Sequence, residues 1–170
     1  MEIDNLDIAT SIESVEPRET ETWNMSLVDQ LTSLEGRINR LRYLIITILY
    51  LIVAIVYLLP VSIVLGIIMA ISGLPEFIFD FLLGLALIPA WYCAYAITVK
   101  RLQDMNWGDG WFTYLQIYMV LCIIWGLVPV GSGVENALDL ITGIMSIPLI
   151  VCIFIKGEKG PNQFGPDPLG

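Results

Sequence analysis

Four stretches of this chain contain no charged residue: 43–75, 81–99, 110–134 and 140–155. A helix needs roughly 20 apolar residues to cross a hydrocarbon core about 30 Å thick. The second and third stretches meet that length directly. The fourth meets it if Ala137, Leu138 and Asp139 form its first turn. The first is too long for one upright crossing and holds Pro60, but splitting it leaves only 61–72 for a second span. One long helix, tilted or kinked at Pro60, is the expected solution.

The positive-inside rule tests the count of four independently. Arg37, Arg40 and Arg42 precede the first stretch, Lys100 and Arg101 follow the second, and Lys156 and Lys159 follow the fourth. The connections 73–80 and 131–139 hold no Lys or Arg. Four crossings put every one of these bases on one side, predicted to be cytoplasmic along with both termini. The fold class expected is an all-α membrane protein, four kinked transmembrane helices preceded by an amphipathic interfacial helix. Composition agrees: 56% of residues are hydrophobic, 15% are charged and mean hydropathy is +0.76. These values exclude a soluble enzyme, a disulfide scaffold and a disordered chain.

The net charge of −9 lies mostly at one end. Residues 1–35 carry nine acids and one base, whereas 36–170 carry eight acids and seven bases. A nucleic-acid partner is excluded by that balance. Residues 1–22 have low hydrophobic density and read as an acidic, disordered cytoplasmic tail. Leu27, Leu31, Leu34, Ile38 and Leu41 recur at helical spacing, and Ser26 with Asp29 resembles an N-cap. Residues 23–42 are therefore expected to form the interfacial helix and to run with a basic end into the first span. The membrane bundle then occupies 43–155, and 156–170 forms a Gly/Pro-rich cytoplasmic motif.

Within the spans, Ala86, Ala90 and Ala94 make a small-residue stripe suited to close helix packing. Cys93, Cys122 and Cys152 form no CxxC and read as packing residues. Gln116, the one amide in the charge-free stretches, is expected in a helix–helix hydrogen bond or, alternatively, at a substrate contact.

Three segments on the basic side carry a family resemblance. They are Gly36-Arg37-Ile38-Asn39-Arg40-Leu41-Arg42-Tyr43, then Lys100-Arg101-Leu102-Gln103-Asp104-Met105-Asn106-Trp107, then Gly160-Pro161-Asn162-Gln163-Phe164-Gly165-Pro166-Asp167-Pro168. Together, from about Trp23 to Pro168, the chain resembles domain-of-unknown-function family 805, small bacterial inner-membrane proteins. The resemblance implies an inner-membrane protein with no established biochemical activity. The family's middle motif usually reads Arg-Leu-His-Asp, and Gln103 stands where that histidine would be. Glutamine hydrogen-bonds but does not titrate.

Topology brings Gly36, Arg37, Arg40, Arg101, Asp104, Gly160, Pro161, Asn162, Gly165, Pro166 and Asp167 to one membrane face. Prolines bar the C-terminal motif from a helix and fix a turned path. One expectation is that it folds back as a cap, with Asp167 or Asn162 bonding Arg101 or Arg37. The other is that the arginines only set topology and touch anionic headgroups. On the opposite face, Glu76 with Asp80 and Glu135 with Asp139 repeat an ExxxD spacing. These four carboxylates are candidates for a hard-cation site; alternatively they are acids placed at helix N-termini by the macrodipole.

Enzyme chemistry finds little support. The chain has no histidine, so the serine of Gly131-Ser132-Gly133 lacks its usual base. No phosphate loop, HExxH or haem-attachment motif is present, and no cofactor is implied. The leading expectation is a non-enzymatic interaction or envelope protein, with the lipid bilayer, anionic headgroups and a protein bound by the acidic tail as partners. The alternative is a small oligomeric channel or transporter.

Overall fold

The computed structural model describes residues 26–168, which are helix, turn and irregular backbone apart from an isolated β-bridge between Asn162 and Gly165. The acidic tail, 1–22, and the start of the expected interfacial helix lie outside the described residues. Five helices follow in order: α1 (Leu27–Thr32), α2 (Arg40–Ser72), α3 (Glu76–Asp104), α4 (Asp109–Leu127) and α5 (Gly133–Val151). The last four are long and apolar enough to cross a membrane. Their outward side chains are Leu, Ile, Val and Phe over most of their length. An apolar surface of that extent is stable in lipid and not in water. The chain is therefore a multi-pass membrane protein.

The first span is a single helix, as its length predicts. Helix α2 runs 33 residues through Pro60 without a break, about 50 Å at the α-helical rise. It stops at Gly73, whose φ of +64° places it in the left-handed region while its N–H bonds Met69 O. Glycine makes that ending strain-free.

The segment before α2 departs from expectation. Instead of one helix entering the span, α1 covers only Leu27–Thr32, and the backbone is non-helical from Ser33 to Asn39. Ser26 caps α1 as predicted, its Oγ accepting from Asp29 N–H at 3.1 Å and donating to Asp29 Oδ2 at 2.8 Å. The break follows from Gly36, at φ +98°, and from Asn39, whose side chain accepts from Arg42 N–H and starts α2 afresh. The leucine spacing did not mark one buried face, since Leu34 is 39% exposed and Leu41 64%, while Ile38 is 4%. The irregular link turns Arg37 and Ile38 inward, which a continuous surface helix would not.

Helix α3 is the centre of the assembly, with α2 and α4 packed along it and α1 across its end. Its tightest requirement is at Gly84, where an added methyl would overlap the carbonyl of Gly126 on α4. Gly126 in turn faces the ring of Trp91. Backbones approach this closely only where both partners are small. Of the alanine stripe, Ala90 is buried, but Gly84 and Gly126 fix the α3–α4 spacing. Cys122 and Cys152 are buried free thiols and Cys93 is half-buried. Gln116 lies exposed on α4 rather than between helices.

The fourth span also starts earlier than the charge-free stretch implies. Ser132 caps α5, accepting from Glu135 N–H at 3.1 Å, while Glu135 Oε2 accepts from Gly131 N–H at 2.8 Å. This Ser-x-x-Glu pair is a near capping box. It is the structural role of the serine in Gly131-Ser132-Gly133.

Candidate functional site

The charged end of α3 extends past its apolar stretch by a full turn, and that turn is buried. Arg101 is 0% exposed, Asp104 2%, and Arg37 from the link before α2 is 2%. Charged residues at this depth are stable only when paired and hydrogen-bonded. The Asp104 carboxylate sits between the two guanidiniums, with Arg37 Nη2 3.4 Å from Oδ1 and Arg101 Nη1 bonded to Oδ2.

One carboxylate serves two guanidiniums, so much of their donor capacity is left over. Backbone carbonyls receive it. Arg37 Nη1 donates to Gly160 O at 2.7 Å and Gly165 O at 3.1 Å, and its Nη2 donates to Glu158 O at 2.6 Å. Arg101 Nε donates to Cys152 O at 3.0 Å, Nη1 to Ile38 O at 3.3 Å, and Nη2 to Ile155 O. The carbonyls of Cys152 and Ile155 belong to the unwinding end of α5, where the last turn leaves acceptors without helical partners and the macrodipole is negative. Arg101 is the group that satisfies them.

The C-terminal motif closes over this cluster. Glu158 N–H donates to Asp104 O at 2.8 Å, and Gly157 passes so close that a methyl there would overlap the Asp104 carboxylate. Gly160 and Gly165 take φ of +80° and +136°. Between them Asn162 and Gly165 exchange two backbone hydrogen bonds at 3.0 and 3.1 Å. Asn162 Nδ2 donates to Gln103 O at 2.9 Å, and Asp167 Oδ2 accepts from Gly160 N–H at 2.7 Å. Phe164 meets Phe112 of α4 edge-on at 5.7 Å. The motif is thus folded back as a cap, the first of the two expectations, along the non-helical path its prolines predict. Its bonds to Arg37 run through the carbonyls of Glu158, Gly160 and Gly165, while the Asn162 side chain serves the backbone of α3.

Two further side chains hold the preceding link. Gln103 Nε2 donates to Leu34 O at 3.0 Å, a bond that needs an N–H donor and no proton exchange. Lys100 Nζ donates to Asp29 O at 3.2 Å and Gln30 O at 2.7 Å, tying α1 to α3. Of the residues singled out by sequence, Arg37, Arg101, Asp104, Gly160, Asn162, Gly165 and Asp167 come together, and Gly36 makes the turn that admits Arg37. Arg40, Pro161 and Pro166 are exposed at the rim. Lys100, Gly157 and Glu158 are additions. Lys100 looked like a topology signal, and Glu158 contributes only backbone.

The carboxylates at the far end do not converge. Asp80 Oδ2 accepts from Val130 N–H at 3.3 Å, Glu135 serves Gly131 as described, and Glu76 and Asp139 are exposed. Among the described residues no three acids or cysteines gather as a metal-binding set. The cation-site expectation is corrected: Asp80 and Glu135 are held by the 128–132 connection, whose N–H groups have no helical acceptor.

Fold and site together define a four-span membrane protein whose basic end is closed by a buried Arg–Asp–Arg cluster under a C-terminal cap. The chain belongs to the family described as protein of unknown function DUF805, whose family model matches residues 31–166. That range takes in the first two sequence motifs and the third as far as Pro166. No curated protein and no solved structure matches the chain significantly.

Proposed function

We propose that this is a bacterial inner-membrane protein with both termini in the cytoplasm, acting without catalysis as an interaction protein. One observation carries the reading: the charged groups of the candidate site are buried and bonded to one another and to backbone. A buried, internally bonded cluster of this kind stabilises a surface rather than presenting a group for proton transfer or nucleophilic attack. The cap then serves as a rigid platform at the membrane face. Arg40, Lys156 and Lys159 remain exposed around it, where each basic residue gains about 1 kcal/mol from anionic headgroups. The acidic segment 1–22, seven acids against one base, is the part we assign to binding a protein partner.

Deleting residues 2–22 and repeating crosslinking with pull-down from cells tests the reading. The expected result is loss of the principal crosslinked partner with membrane insertion retained. An unchanged partner set would overturn it. Solute flux through proteoliposomes carrying the full chain would instead favour a channel or transporter.

A further inference from the structure

A cavity of about 330 Å³ lies among the four long helices, directly beyond the arginine cluster. Every helix contributes to it from the half nearest that end: Tyr43, Thr47 and Tyr50 of α2, Trp91 of α3, Tyr118 of α4 and Ser146 of α5. Helices α2 and α5 hardly touch each other, so the cavity is reached from the side, between them. Its size falls in the range of small-molecule sites, and sites of this kind occur between helices of bundles.

Three features restrict what fits. No lining residue is charged, so the occupant is neutral. The walls are unusually rich in aromatic rings, which favour a flat ring by offset stacking at about 0.5–1.5 kcal/mol per pair. Thr47 Oγ1 is buried with no hydrogen-bond partner among the described residues. A buried hydroxyl left unpaired is destabilising, and a lipid tail has nothing to offer it. An oxygen on the occupant does.

We propose that this cavity binds a neutral, lipophilic ring compound bearing a hydrogen-bonding oxygen, the chemistry of a membrane quinone or ring phenol, with Thr47 as its polar contact. The inference stands apart from the partner reading of the acidic segment, since it concerns only the helices.

The full chain in detergent is titrated with decylubiquinone, with 1-decanol as a ring-free probe of equal chain length, and melting temperature is followed. Decylubiquinone is expected to give a saturable rise and 1-decanol none. Thr47→Val, which keeps shape and removes the hydroxyl, is expected to weaken decylubiquinone binding about tenfold, the loss of one hydrogen bond. Ser146→Trp, which fills the cavity, is expected to abolish it. Absence of a saturable shift in the unaltered protein overturns the proposal. So do equal shifts with both probes, or affinity unchanged in Thr47→Val, because either means the cavity merely accepts lipid chains.

Discussion

The two ends of the helical assembly both use charged side chains to satisfy backbone groups, but they do so at different depths. At the acidic end, Asp80 and Glu135 each accept from one N–H of the 128–132 connection, in contact with the surroundings. At the basic end, Arg37 and Arg101 each reach several carbonyls from positions with almost no exposure. The exposed caps exchange one partner for water if they are removed. The buried cluster has no water to fall back on, so every missing bond leaves an uncompensated charge or dipole. Depth, not charge, separates a trimming interaction from one on which the fold depends.

Arg101→Ala should break this contrast most forcefully. It removes the cation from a buried pair and strands the carbonyls of Cys152 and Ile155, a loss of about 3–5 kcal/mol. The measurement is thermal unfolding in detergent together with accumulation in membranes, and a variant as stable as the parent would refute the cluster's role. Arg37→Ala comes next at about 3 kcal/mol. Its distinctive sign is proteolytic cleavage within 156–168 while the four spans stay protected, because Arg37 holds the cap through three carbonyls. Asp167→Asn should lower stability by about 1 kcal/mol, as it weakens the charge-assisted bond to Gly160 N–H. Glu135→Gln should be smallest, about 0.5 kcal/mol, since an exposed cap loses charge but keeps an acceptor. If Glu135→Gln matched Arg101→Ala in effect, the depth argument would fail.

Much of this architecture was legible in charge spacing. The charge-free stretches locate four spans because lipid excludes charge outright, and 61–72 is too short for another crossing, so Pro60 had to lie inside one helix. That the C-terminal motif is not helical was legible from Pro161, Pro166 and Pro168, while the cap itself was one of two readings, argued from side-chain bonds to Arg37 or Arg101. Its actual bonding was not legible. Arg37 and Arg101 reach carbonyls of Glu158, Gly160, Cys152 and Ile155, and a carbonyl is the same on every residue, so no side-chain pattern marks it. The link 33–39 was hidden differently: leucines at helical spacing outweighed Gly36 and Asn39, although those two residues decide the backbone. The capping role of Ser132 and Glu135 was present as Ser-x-x-Glu, overshadowed by reading Glu135 as a possible ligand.

The reach of Arg37 across the chain has a consequence for the order of assembly. Its three carbonyl partners in the cap lie more than 120 residues later, beyond all four spans. Until α5 has been made those acceptors do not exist, and Asp104 at the end of α3 is the partner the guanidinium can reach first. Burial of Arg37 therefore comes last, after the fourth helix is inserted and the Gly-Pro segment emerges. A chain interrupted before residue 158 lacks the three cap carbonyls that complete the burial of this charge. Closure of the cluster thus reports that synthesis has run to the far end of the motif, a completion check written into a single side chain.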